Sequence, residues 1–441
     1  MTMDRRALLA AAGASAAALS AGQAAAKAAS RPATGGFPKG FLWGTATAGH
    51  QVEGNNVASD VWLLENVKPT MFAERSGDAD NSFELWPQDL DLVRGLGLNT
   101  YRFSIEWARI EPEPGAFSIA MLDHYARMVD GCRARGLAPM VTFNHFTVPR
   151  WFAAQGGWTN AQSPDLFARF CDRAARRLAQ GAAYATTLNE PNTVAIMRDV
   201  FPPQFLGAMR NMNAAAGRAC GSDNFRNAMV PDPSDLETVQ PNMIAGHKAG
   251  KAAIKAVRGD LPVGVSLAIS DDQAAGEHSV RDAKRAAFYG PWLEVAKADD
   301  FLGVQNYERA RWGDKAQLPP PEGSKRNGSG REIYAPSLAG AVRYAHAATG
   351  VPIVVTEHGL NAADDALRAE FIPAALAELQ RAIAEGVPVQ GYVHWSLLDN
   401  FEWIFGYKPK YGLVSVERMT FKRTPKPSAT VLGAIARRNA L

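Results

Sequence analysis

The sequence predicts one large (β/α)8 barrel. Short β-branched or aromatic runs alternate eight times with longer stretches of helical periodicity, the pattern of βα units around a parallel sheet. Glu and His, which are costly to bury without partners, fall at or just after several of those runs, where barrel active sites form. No repeated linker divides the 441 residues, and a barrel of this kind accommodates such a length in one domain.

The candidate strands are Phe41 to Thr45, Thr100 to Ser104, Met140 to Phe143, Ala185 to Leu188, Val263 to Leu267, Phe301 to Gln305, Ile353 to Thr356, and Gln390 to His394. Between them, Met121 to Arg135, Pro164 to Leu178, Met243 to Val257 and Ala366 to Ala384 carry apolar residues at three- and four-residue spacing, which predicts helices. Asp199 to Ser234, with Pro202-Pro203, Gly221 and Pro231-Asp232-Pro233, reads as a long loop. So does the Pro/Gly/Ser-rich stretch Leu318 to Arg331. Both follow candidate strands and are expected on the catalytic face. Glu111-Pro112-Glu113-Pro114-Gly115 reads as a turn with surface carboxylates.

Composition narrows the function. Apolar residues make up 47% and charged residues 21%, ordinary for a globular chain with a large core. The formal charge is +3 with no dense Lys/Arg run, so a nucleic-acid partner is not expected. Cys132, Cys171 and Cys220 are widely spaced and odd in number, pointing to free thiols and not to a disulfide framework or zinc site.

Arg5-Arg6 precedes a mildly apolar run, Ala7 to Leu19, and then small Ala-rich residues, with cleavage expected near Ala26 or Ala28. This resembles a twin-arginine export signal over residues 1–28 and implies a periplasmic or secreted catalytic domain over residues 29–441. No later run reaches the roughly 20 apolar residues of a membrane span.

His145 follows the third strand, Asn189-Glu190 closes the fourth, Tyr307 follows the sixth, Glu357 closes the seventh and Trp395 follows the eighth. In a barrel all converge on one rim.

Several separate strings then resemble glycoside hydrolase family 1, the β-glucosidase group, over Phe37 to about Ser428. They are Phe41-Leu42-Trp43-Gly44-Thr45 through Gln51-Val52-Glu53-Gly54, Tyr101-Arg102-Phe103-Ser104-Ile105, Thr187-Leu188-Asn189-Glu190-Pro191, Thr356-Glu357-His358-Gly359, and Trp395 through Phe401-Glu402-Trp403. The resemblance implies a retaining β-glycosidase, which needs two carboxyl groups about 5–5.5 Å apart. It makes Glu357 the nucleophile, with Arg102 favouring its ionised form, and Glu190 the general acid/base with a raised pKa. It assigns Gln51, His145, Asn189 and Glu402 to sugar hydroxyls, Trp395 to stacking, Trp403 to an indole donor and Tyr307 to the nucleophile. The substrate it implies is a non-phosphorylated small-molecule or oligosaccharide β-glycoside, cleaved without cofactor or metal. Nothing in the chain specifies an oligomer.

The family usually has Asn in place of His358, Trp-Asp in place of Phe146-Thr147, and Asn-Tyr-Tyr in place of Gln305-Asn306-Tyr307; all three departures are expected near the pocket and bear on sugar preference. Asn192 reads as a helix cap. His50, His124, His247 and His278 belong to no motif. A transglycosylase using the same intermediate is an alternative, as is a sugar-binding barrel without catalysis, which would have little need of a carboxylate pair.

Overall fold

In the computed structural model, which describes residues 36–229 and 231–441, eight parallel strands close into a barrel in chain order. They are β1 (Leu42–Ala46), β2 (Thr100–Ser104), β3 (Ala138–Asn144), β4 (Tyr184–Asn189), β5 (Val263–Ala268), β6 (Leu302–Asn306), β7 (Ile353–His358) and β8 (Val389–Trp395). The expected barrel is found, with no strand end displaced by more than two residues. The seam closes where β1 pairs with β8, Leu42 opposite Gly391 through Ala46 opposite Trp395. All five residues of β2 and all six of β7 are buried, because helices cover the outside and side chains fill the inside. That two-sided burial is why these strands read as near-continuous runs instead of alternating ones. The expected export signal lies outside the described residues, and no helix among those described is long and apolar enough to cross a membrane.

Three of the expected helices are observed within two residues of their predicted ends, at Ile119–Ala134, Ser163–Leu178 and Asp365–Ala384. The fourth, Leu236–Val257, starts seven residues before its predicted beginning because the helix runs through Pro241 instead of stopping there. The segment Asp199 to Ser234, expected as loop, contains an 18-residue helix, Pro203–Cys220. The prolines read as breakers start this helix: Pro203 occupies its first turn, where the missing N–H has no intrahelical partner to lose, and Gly221 ends it at φ 70°. Leu318 to Arg331 carries no helix or strand, as expected.

Glu111 corrects another expectation. It is fully buried, not at the surface, and accepts hydrogen bonds from Trp107 Nε1 at 2.8 Å, the Gly115 N–H at 2.7 Å, and Arg169. Its carboxylate ties the turn after β2 to the helix Ser163–Leu178. Cys132 and Cys171 are buried free thiols, and Cys220 is a half-buried one.

Candidate active site

Strands β2, β3, β4, β6, β7 and β8 each deliver side chains to the C-terminal rim, or present them just beyond. A cavity of about 360 Å³ opens there, lined at its base by Gln51, His145, Asn189, Glu190, Tyr307 and Glu357. Trp395, Glu402 and Trp403 also line it, so every residue expected to touch sugar is brought into one pocket. Arg102 stands behind the wall.

Its guanidinium organises the base. Arg102 Nη1 donates to Glu357 Oε1 at 2.6 Å, Nη2 to Asn189 Oδ1 at 2.5 Å, and Nε to Thr142 Oγ1 at 3.1 Å. Tyr307 donates its hydroxyl to the other Glu357 oxygen at 2.6 Å. Gln305 Nε2 also donates to Asn189 Oδ1, at 2.8 Å, so the Asn189 oxygen is fully used and its NH2 faces His145 Nε2 at 3.3 Å. In this arrangement Nε2 accepts, which puts the His145 proton on Nδ1.

The two carboxyl groups differ in surroundings. Burial raises the pKa of Glu357, opposed by the Arg102 cation and the hydrogen bonds from Tyr307 and Arg102. Burial and, second to it, the nearby Glu357 charge push Glu190 up to about 8, and only the Arg102 cation works against them. Hydrogen bonds therefore favour the ionised form of Glu357, while the shared proton of the pair resides on Glu190. Burial and Arg102 together hold His145 well below the usual imidazole range, so it is neutral.

Three pocket residues have a left-handed backbone that is costly without glycine: Phe146 at φ 68°, Glu190 at 46° and Trp403 at 54°. For Glu190, the turn is held by its N–H donating to Ser266 O at 2.8 Å.

Four buried polar atoms of pocket residues have no hydrogen-bond partner among the described residues: Gln51 Oε1, His145 Nδ1, Thr193 Oγ1 and Glu402 Oε1. The Gln51 amide is fixed from its other end, its Nε2 donating to Phe401 O at 2.8 Å and Asn400 Oδ1 at 3.1 Å. Buried polar groups are nearly always paired in folded proteins, so a donor, two acceptors and a hydroxyl left open in one concavity fit a ligand with several hydroxyls. Trp395, whose ring lies near-parallel to His145 at 5.6 Å and 17°, supplies an apolar face.

Two carboxyl groups of unequal proton affinity beside a polyol-binding surface are the equipment for glycosidic bond cleavage. Comparison with known proteins agrees: residues 33–232 and 295–441 match the sequence profile described as Glycosyl hydrolase family 1. The chain belongs to glycosyl hydrolase family 1. It is 29% identical over 459 residues to a β-glucosidase of Agrobacterium sp., covering 91% of this chain and 95% of the relative. Against the human cytosolic β-glucosidase it is 30% identical over 474 residues, covering 92% and 99%. Among solved structures, the apo β-glucosidase 1317 matches with a TM-score of 0.88 at 40% identity, covering 91% of this chain and 99% of that one. This family 1 member is a retaining β-glycosidase, a hydrolase of O-glycosyl bonds, and its relatives favour neither the transglycosylase nor the non-catalytic barrel.

Of the departures from the family pattern, only some reach the pocket of this glycosidase. Phe146 lines it, set edge-on to Trp403 at 5.5 Å and 84°. Gln305 supports Asn189 from below. His358 does not line the pocket: its ring stacks on Phe371 of the outer helix Asp365–Ala384, its Nδ1 meets the Tyr392 hydroxyl at 3.0 Å, and burial drives its pKa down to about 3. Asn306 likewise bonds Ile269 O and Ser337 Oγ, away from the pocket. Asn192 precedes the helix Thr193–Val200, but its side chain makes no cap and pairs with the backbone of Ala268. Sequence reading missed the outer wall of Met197, Phe201, Phe205, Met229, Ile404 and Phe405. The only signal for it is Phe201 and Phe205 flanking Pro202-Pro203 in a segment that reads as loop.

Proposed function

We propose that this glycosidase hydrolyses non-phosphorylated β-glycosides with an apolar aglycone, Glu357 acting as nucleophile and Glu190 as acid/base. The observation that carries the reading is the unequal carboxyl pair in a pocket with four unpartnered buried polar atoms. In the first step a Glu357 oxygen attacks the anomeric carbon while the Glu190 proton passes to the departing oxygen. The glycosyl ester removes the Glu357 charge, which lowers the proton affinity of Glu190 and prepares it to take a proton from the attacking water. Tyr307 and Arg102 hold the Glu357 carboxylate in line, and Trp395 stacks under the sugar ring. Gln51, His145, Asn189, Glu402 and Trp403 bond its hydroxyls.

The preference for an unphosphorylated sugar follows from charge. No Lys or Arg is among the cavity-lining residues, Lys408 included. Burial, with a smaller contribution from the Glu357 charge, pushes Glu402 up to about 8 against a hydrogen bond from Trp395. A phosphate dianion here meets two carboxyl groups in a site of reduced dielectric with no cation of its own. Catalytic efficiency on an aryl β-glucoside should far exceed that on its 6-phosphate, and the reverse order would overturn this reading.

We also propose export to the periplasm or beyond, supported by Arg5-Arg6 ahead of a weakly apolar run. Replacing both arginines by Lys should trap the precursor in the cell; native protein found in the cytoplasm with an uncleaved N-terminus would defeat the proposal.

A further inference from the structure

Glu106 lies just beyond β2, outside the pocket and almost fully buried. Its carboxylate has three donors, none from its own loop: the His50 N–H at 3.0 Å, Asn56 Nδ2 at 2.7 Å and Thr147 Oγ1 at 2.7 Å. His50 and Asn56 follow β1, and Thr147 follows β3. One carboxylate thus joins three successive rim loops. His50 immediately precedes Gln51 in the chain, and Thr147 stands two residues after His145. Gly49 makes the approach possible, because a Cβ there would come within 2.7 Å of Glu106 Cγ and Oε1.

The linkage continues through His50. Its Nε2 pairs with Glu65 Oε1 at 2.7 Å, and Glu65 Oε2 accepts from both the N–H and the hydroxyl of Ser76 at 2.8 Å. The His50 ring lies near-parallel to that of Trp403 at 5.9 Å and 6°, and Trp403 is in turn near-parallel to His145 at 6.2 Å and 14°. Residues on three separate pocket segments, Gln51, His145 and Trp403, are therefore tied to a single buried carboxylate, either through the chain or through one ring.

We infer that Glu106 is a positioning residue that, through Thr147 and His50, fixes the sugar-binding side chains of the β1 and β3 loops relative to one another. A buried carboxylate is retained only when its hydrogen bonds are supplied, so the loops that donate to it share one geometry. Loss of one donor leaves a buried acceptor open, and the loops are then free to drift apart. This assignment rests on the proposed sugar pocket but concerns its shape and not its chemistry.

The test uses the full enzyme, with active sites counted by a slow-turnover 2-fluoro β-glycoside so that misfolded protein does not enter the rates. Thr147→Val keeps the volume and removes the donor; KM for an activated β-glycoside should rise about tenfold while kcat changes little, the pattern of lost uniform binding. Thr147→Ser, which restores the hydroxyl, should return KM close to the wild-type value, and Glu106→Gln should resemble Thr147→Val. With a series of monodeoxy glycosides, the Thr147→Val penalty should shrink for at least one member, the one lacking a hydroxyl held by Gln51 or His145. A purely structural role would lower Tm and the active fraction while leaving KM of the titrated enzyme unmoved in both Thr147→Val and Glu106→Gln, and that outcome overturns the inference. Wild-type enzyme that turns over no β-glycoside would overturn the catalytic reading beneath it instead.

Discussion

The base of the pocket and its mouth are built on opposite principles. At the base almost every side chain is fixed by directional bonds: Arg102 alone joins Glu357, Asn189 and Thr142, and Gln51 is held from its amide end so that one oxygen stays open. At the mouth, Met197, Phe201, Phe205, Met229, Ile404 and Phe405 offer area without direction, and Phe405 is 64% exposed. A sugar is told from its epimers by where its hydroxyls point, which requires preset donors and acceptors. An aglycone is held by burial, which requires only surface, and methionine and exposed phenylalanine adapt to many shapes.

Substitution at the directional base should have the largest effect. Glu357→Ala should lower kcat by on the order of 10⁴-fold or more, since it removes the group that forms the intermediate. Azide or formate should restore turnover from the vacated space and give product of inverted configuration, read by NMR of the first-formed sugar. Retained configuration in the rescued product would take the nucleophile role away from Glu357.

A second effect concerns the proton. The acid form of Glu190 is the active one, and its pKa stands near 8, so kcat/KM for substrates with poor leaving groups should hold through neutrality and fall above about pH 8. The acid limb should follow ionisation of Glu357, above the usual carboxylate range because burial raises it. Glu190→Gln should abolish the alkaline limb and slow poor leaving groups by about 10²–10⁴-fold, with far less effect on activated ones. Equal losses on both substrate types, with the alkaline limb intact, would exclude the assigned role.

The base was legible in the sequence and the mouth was not, for the same reason that separates them physically. Glu190 and Glu357 end strands, and a carboxylate at such a point has few structural uses, so position and residue type together identify it. Phe201 or Met229 is indistinguishable by type from the other Phe and Met residues that fill the core, and only three-dimensional placement makes it a wall. Where reading failed at the base, a signal had been available. Side chains alternate across a strand, so Glu357 facing inward sends His358 outward to Phe371, and Gln305 inward sends Asn306 outward. The helix Pro203–Cys220 was hidden because Pro-Pro serves equally as a breaker and as a first turn. Glu106 gave no signal at all, since its three donors come from loops distant in sequence.

At the mouth the effects should be smaller and should leave sugar choice alone. Phe405→Asp should cost about 1.5 kcal/mol of apolar contact, roughly tenfold in kcat/KM, for a β-glucoside of a polycyclic secondary alcohol. The isopropyl β-glucoside, whose leaving group has similar basicity and little surface, should lose far less, so the ratio of the two efficiencies is the measurement. A ratio unchanged by the substitution would mean that the apolar wall does not hold the aglycone.

The smallest effect belongs to Phe146, which lies between the two regions. It sits on the β3 loop next to His145, yet presents only a phenyl ring, edge-on to His145 at 5.1 Å and to Trp403 at 5.5 Å. Relatives in the family usually have Trp here, whose indole N–H can reach a sugar hydroxyl, while Phe has no donor to give. Phe146→Trp therefore adds a directional contact at a position that now has none and shifts the boundary of the polar base outward. One neutral hydrogen bond is worth about 0.5–1.5 kcal/mol, so selectivity for the parent sugar over the analogue lacking that hydroxyl should rise roughly two- to tenfold. The left-handed backbone at this position is not an added obstacle, since Phe already adopts φ 68° and Trp has no greater difficulty there. The measurement is kcat/KM for the parent and each monodeoxy glycoside in both enzymes. The sharpening should appear at a single position of the ring; selectivity unchanged at every position, with the wild type already depending strongly on each hydroxyl, would show that another group at the base has taken over the contact.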